Sequence, residues 1–279
     1  MVFSALVVSI ARATEPAGLA LTLGAEGRRE AAAIEYRRLA LGAEESESAA
    51  GWYWWAANEY ALAGQPGLSG RMLDRAEDAA PFALAVPVGW LRAENALRER
   101  EWAAAAFHFD RLGRRVDSDD WREFSARGAA AAYLRERNPT AARQALGGAP
   151  GDVANALGAI DGHAGRRDKR PWLGGVLGLV PGMGYVYSGE YANAARSLIL
   201  NSLFIWGMVE AAERDQWGIF AVVTFGEITW YTGSIYGGID AAHRHNARRL
   251  DAAVSDVRGE LRPQPDTSQV PIVELRFDF

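Results

Sequence analysis

From Pro171 to Ile239 the chain almost ceases to carry charge, and this constrains its fold more than any other feature. Pro171 to Gly189 holds no charged residue. Arg196 follows, Ser197 to Val209 is again uncharged, and Gln216 to Ile239 carries Glu227 alone. Everything before this region is rich in Ala, Leu, Arg and Glu, strong helix formers that alternate with short polar breaks. Such a chain divides into a charged helical part and an apolar part. The two meet at "GRRDKRP", Gly165 to Pro171, where Arg166, Arg167, Lys169 and Arg170 stand directly before the apolar stretch.

The 279 residues suffice for one large or two ordinary domains. With 49% hydrophobic and 23% charged residues the chain is not a disordered one. A mean hydropathy of -0.13 excludes a wholly polytopic membrane protein while allowing a segregated membrane part. The formal net charge of -5 gives no reason to expect nucleic acid, which calls for a clustered basic surface. Cys 0 removes disulfides, thiolate nucleophiles and cysteine metal sites.

The N-terminus, "MVFSALVVSIARATEPAG", has an apolar run at Val2 to Ile10 and the A-x-A form of a signal-peptidase site at Ala11-Arg12-Ala13. Residues 1–13 are read as an export signal, although no basic residue precedes the run; the alternative is a buried first helix. The run is too short to span a bilayer.

From Gly24 to Gly165 the pattern is helical throughout. "REAAAIEYRRLA" from Arg29, "SGRMLDRAEDAA" from Ser69 and "REWAAAAFHFDRLG" from Arg100 can be superimposed, with "NPTAARQALGGA" from Asn138 as a weaker fourth copy. A spacing in the mid-thirties with a partner helix between copies predicts an all-α solenoid. In the third copy Trp102, Ala105, Ala106 and Phe109 have the large–small–small–aromatic spacing of a tetratricopeptide first helix, so residues 24–165 resemble tetratricopeptide repeats. The resemblance implies a concave surface for a peptide or protein partner. "WYWW" adds partner-binding candidates, Trp52, Trp54 and Trp55, since aromatics anchor interfaces. Consecutive positions face around a helix, so packing between repeats is the competing reading.

Residues 171–246 are predicted to form a helical membrane-associated module: a re-entrant segment at 171–189 and a hairpin of helices at 194–212 and 216–239, each close to spanning length. Pro181-Gly182 breaks the first segment. Gly174, Gly178 and Gly182 recur every fourth residue, and Gly233 and Gly237 repeat the device, a spacing that lets helices touch closely in lipid. Gly184 and Gly189 complete the set of packing glycines. Trp172, Tyr185, Tyr187, Tyr191, Trp217, Trp230 and Tyr231 lie near segment ends, where Tyr and Trp favour the headgroup level. The same glycine faces would serve a homo-oligomer.

"PGMGYVYSGEYANAA", then "NSLF", then "WYTGSIYGGIDAAHRHN", spanning Pro181 to Asn246, resembles the C-terminal module of poorly characterised bacterial envelope proteins of the form PGxGxxYxG…N…WYxGxIYGGxxAAxRxN, often preceded by tetratricopeptide repeats. The PGxGxxYxG core is also similar to small two-helix membrane domains. The resemblance implies a membrane module in the cell envelope and no particular chemistry.

Two polar residues, Asn201 and Glu227, interrupt the apolar segments. Glu227 is costly there and should find a partner, with Tyr231, Asn201, Arg244 and His243 within reach. The expected role is a structural clasp; the sharper one is a proton- or substrate-binding group in a small pore. Gly182-Met183-Gly184 is no phosphate loop, since no Lys-Ser/Thr follows. His243 and His245 face apart on a helix and make no metal pair. No catalytic constellation, cofactor motif or metal site is legible.

In the tail, 263–279, Val273, Leu275, Phe277 and Phe279 alternate with Glu274, Arg276 and Asp278. That is a strand pattern, suited to strapping onto the protein itself or to a partner's sheet edge.

Basic clusters at Arg166–Arg170 and at Arg244, Arg248 and Arg249 flank the module, so the positive-inside rule places both flanks in the cytoplasm. The export signal places the repeats outside. An exported protein attached to a membrane face reconciles the two. The expectation is therefore a non-enzymatic envelope scaffold that binds a protein through its repeats and lipid through its module. A transporter component and a cytoplasmic adaptor are the alternatives.

Overall fold

A computed structural model describes residues 17–260 and 263. The export signal, and all of the tail but Pro263, lie outside the described residues. Among the described residues every regular element is an α-helix. The chain divides into two compact units, one built from the residues up to Ile160 together with those from Ser255, the other Asp161–Val254.

The first unit holds α1 (Gly18–Ala25), α2 (Arg29–Gly42), α3 (Ser46–Leu62), α4 (Pro66–Ala79), α5 (Ala85–Arg98), α6 (Trp102–Gly113), α7 (Asp119–Arg135), α8 (Pro139–Leu146) and most of α9 (Ala154–Ala164). From α1 to α8 each helix packs on the next in the chain. One corner recurs. Gly27, Gly64, Arg100 and Arg137 all have left-handed φ, between 61° and 75°. At each, the following N–H reaches back to the carbonyl five residues earlier: Arg28 to Leu23, Gln65 to Tyr60, Glu101 to Ala96 and Asn138 to Tyr133, all at 2.9 Å. This is a Schellman-type helix ending. Pro66 and Pro139 then open the next helix, where the missing N–H costs nothing. The corner returns about every 37 residues, a period typical of two-helix repeats.

Small residues set the spacing of these helices. Ala32, Ala33, Ala56, Ala57, Ala105 and Ala106 are fully buried, and Phe109, Leu73, Leu91 and Leu112 fill the gaps between them. Gly128 on α7 leaves room for the Phe109 ring, which a Cβ there would meet at 2.7 Å. The superimposable segments begin near these corners, but not at one fixed offset from them.

The second unit holds α10 (Pro171–Leu177), α11 (Met183–Ser188), α12 (Tyr191–Glu213) and α13 (Trp217–Arg258). Segment 171–189 is two short helices joined by a corner at Pro181-Gly182. Helix α13 runs 42 residues, well beyond the apolar limit at Ile239. Its residues from Ser255 belong to the first unit. Helices α12 and α13 are antiparallel in one register, fixed by Ser197 against Ser234, Phe204 against Gly226 and Gly207 against Val223. The expectation of near-spanning helices is corrected: among the described residues no helix is long and apolar enough to cross a membrane. Arg196, Glu210 and Glu213 lie within α12, and Glu227 with several hydroxyl residues within α13.

Candidate membrane-facing site

The second unit is built around a backbone contact between α10, α11 and α13. A Cβ on Gly184 would stand 2.8 Å from the Cα of Gly238, and one on Gly178 would stand 2.9 Å from the Cα of Ile235. One on Gly174 would overlap the carbonyl of Gly238, and one on Gly237 the hydroxyl of Tyr185. Gly182 has φ +85, and a Cβ there would lie 2.6 Å from the carbonyl oxygen of Ala194. Pro181, partly buried, starts that turn. These glycines are therefore taken up within their own unit. Gly189 has φ +79 with open space beside it, so it serves the turn into α12 rather than a contact. Gly233, expected in the packing set, meets nothing within 4 Å.

The polar residues of the same segments act as latches. The side chain of Asn246 accepts the Lys169 N–H and donates to the Lys169 carbonyl, both at 2.8 Å. Arg249 donates to the carbonyls of His163, Arg166 and Arg167 and to the Asp168 carboxylate. The Tyr187 hydroxyl accepts the Arg170 N–H at 2.9 Å, with the Lys169 ammonium 4.7 Å from the ring centre. The Tyr231 hydroxyl donates to the Leu179 carbonyl at 2.6 Å. Glu190 is nearly buried and gathers Arg244, Arg248 and Asn193. The Arg244 hydrogen bonds come first in holding its carboxyl down at about 2, aided by Asn193 and the Arg248 charge and opposed by burial. Arg244 also pairs with Asp240.

Glu227 does not find the partners its sequence suggested. Tyr231 is engaged with Leu179, Asn201 donates to the Ser197 carbonyl at 2.6 Å, and Arg244 is held by Glu190. The Oε2 of Glu227 is buried without a hydrogen bond, and burial pushes its carboxyl above the ordinary value. The clasp is instead Ser197 with Ser234, 2.7 Å apart and buried between α12 and α13. In the sequence nothing distinguishes these two serines from exposed hydroxyls.

Away from this base the hairpin is apolar on its outer surface. Helix α12 exposes Leu198, Ile199, Leu203, Ile205, Trp206 and Val209. Helix α13 exposes Trp217, Ile219, Val222, Phe225, Ile228 and Trp230. No charged residue is exposed from Ser197 to Val209 or from Trp217 to Gly233. Charge resumes at both ends, in the Glu213–Asp215 turn and in the base. At 1.5 Å per residue the band is about 20 Å deep.

In the first unit the partner-binding assignment of "WYWW" is corrected. Trp52 is 7% exposed and Trp54 3%, and Trp55 is partly buried against the same core. Tyr36 stacks on Trp52 and Trp55 at about 6 Å, and Trp54 lies 6.5 Å from Trp90. These rings fill the space between α2, α3 and α5. An open groove lies instead between α6, α7 and α8, roughly 440 Å3, lined by Asp110, Arg114, Arg122, Tyr133 and Gln144.

No family model, curated protein or solved structure matches this chain.

Proposed function

We propose that this chain is a membrane-associated, non-enzymatic scaffold of the cell envelope. In this reading the first unit is a tetratricopeptide-like platform for a protein partner and the second attaches to a lipid surface. The observation that carries the reading is the uncharged apolar band on α12 and α13. It is larger than the scattered apolar exposure of soluble surfaces, and such bands are normally covered. The recurring left-handed corner supports the platform, and the charged groove at α6–α8 offers its partner site. Attachment to one face of a bilayer fits helices that do not cross it.

The band's depth favours a second reading, in which another copy covers it. About 20 Å falls short of the ~30 Å hydrocarbon core. Fractionation of the expressed protein separates the two. Resistance to a carbonate wash with release by detergent supports lipid attachment. A soluble protein whose mass in light scattering is twice that of the chain supports the covered dimer. A soluble monomer defeats both. N-terminal sequencing tests export, for which the product should begin at Thr14.

A further inference from the structure

Where the hairpin leaves its polar base, α11, α12 and α13 enclose a groove of roughly 380 Å3. Its floor is the buried Ser197–Ser234 pair. Leu200 and Trp230 line its apolar side, Tyr185 and Arg196 its polar side. One turn beyond on each helix stand Leu203 and Phe225, both exposed members of the apolar band. The groove therefore grades from a cationic, hydroxyl-lined end into an apolar strip within one unit.

Arg196 is the one charged residue that lines the groove. It is exposed, and it makes no ion pair or hydrogen bond among the described residues. The arginines that α13 contributes to the base are engaged: Arg244 and Arg248 with Glu190, Arg249 with Asp168 and three carbonyls. The carboxylate of Glu190 is filled by those arginines and Asn193. A guanidinium left unpaired beside an apolar strip is matched by a phosphate whose substituent is a hydrocarbon chain. We propose that this groove binds an anionic phospholipid, its headgroup phosphate at Arg196 and an acyl chain along Leu200, Trp230, Leu203 and Phe225. The proposal deepens the lipid-attachment reading, from which it takes the source of the ligand.

The test uses the full chain and three probes in solution calorimetry. These are lysophosphatidylglycerol below its micelle concentration, lysophosphatidylcholine of the same chain length, and inorganic phosphate. The expected result is at least tenfold tighter binding of the anionic lysolipid than of the zwitterionic one. Arg196→Gln should remove that preference, and Gly233→Leu, whose side chain enters the open side of the groove, should weaken both lysolipids. Arg196 holds no partner, so the glutamine variant should fold normally, checked by its melting temperature. Equal affinity for the two lysolipids overturns the proposal, as does a preference that survives in Arg196→Gln. Inorganic phosphate binding as tightly as the anionic lysolipid overturns it too, since the chain would then contribute nothing. Flotation with phosphatidylglycerol vesicles is scored separately. Failure to float with the lysolipid preference intact defeats membrane attachment and leaves the groove. Flotation without the preference does the reverse.

Discussion

Gly184 and Gly238 touch backbone to backbone, so that a Cβ on Gly184 would stand 2.8 Å from the Cα of Gly238 and one on Gly238 would stand 3.0 Å from the Cα of Gly184. Real Cβ atoms do not approach main chain this closely, and neither partner is a side chain that can swing away. Gly238→Ala should therefore destabilise the second unit by about 2–3 kcal/mol or prevent its assembly. Gly233→Ala, one turn away with open space around it, should be neutral or stabilising by up to about 1 kcal/mol, the helix-propensity gain of alanine. Thermal melts of the two variants check the contrast. Equal losses would mean that the glycine contact does not hold α10 and α11 to α13.

Glu190 gives the fold an acid-sensitive latch. Its folded pKa is depressed, so the latch is fully present above the ordinary value of 4.5 and is lost as pH falls from there toward about 2. Melting temperature should fall through that window, and Glu190→Gln should flatten the dependence there while lowering stability at neutral pH by about 2 kcal/mol. A wild-type acid limb unchanged in the variant would assign it to other carboxylates.

Glu227→Gln should leave the melting temperature at pH 7 unchanged or raise it slightly, against the sequence expectation of a clasp. Its buried Oε2 has no partner to lose, and the substitution removes a charge that burial disfavours. For the same reason wild-type stability should gain as pH falls through the raised folded value, a term absent from the glutamine variant. A clear loss of stability in Glu227→Gln would restore the clasp.

Gly128→Ala should cost the first unit about 1–3 kcal/mol, because the new methyl enters the Phe109 ring. Combining it with Phe109→Leu should recover part of that loss, a coupling that a double-mutant cycle reads directly. Strict additivity would show that the two do not meet.

Helix existence was legible in this chain because local composition decides it. Ala, Leu, Arg and Glu between Gly and Pro breaks leave few alternatives. The repeat was legible only as an approximate spacing, since two of the four left-handed corner positions are occupied by arginine, Arg100 and Arg137, which carry no turn signal. The end of α13 is not legible in the sequence for a related reason. The apolar pattern stops at Ile239, but Asp240 to Arg258 is itself good helix sequence and continues the same rod. "WYWW" misled because consecutive aromatics state bulk and not direction; Tyr36 and Trp90, distant in sequence, decide that they face inward. In the second unit the crowding of glycines was visible, whereas which of them touch was not. Gly237 and Gly233 read alike in the pattern, and only the path of Tyr185 separates them.

Asn246 and Arg249 grip residues 163–169 almost wholly through main-chain groups, and the side chains of Arg166 and Arg167 stand in solvent. A grip of this kind is indifferent to what the held segment displays. The basic character of that stretch can drift, weaken or reverse across generations at little cost to the fold, so long as the asparagine and arginine that hold it persist. The protein thus carries a stretch of surface whose charge selection can retune separately from the architecture beneath it.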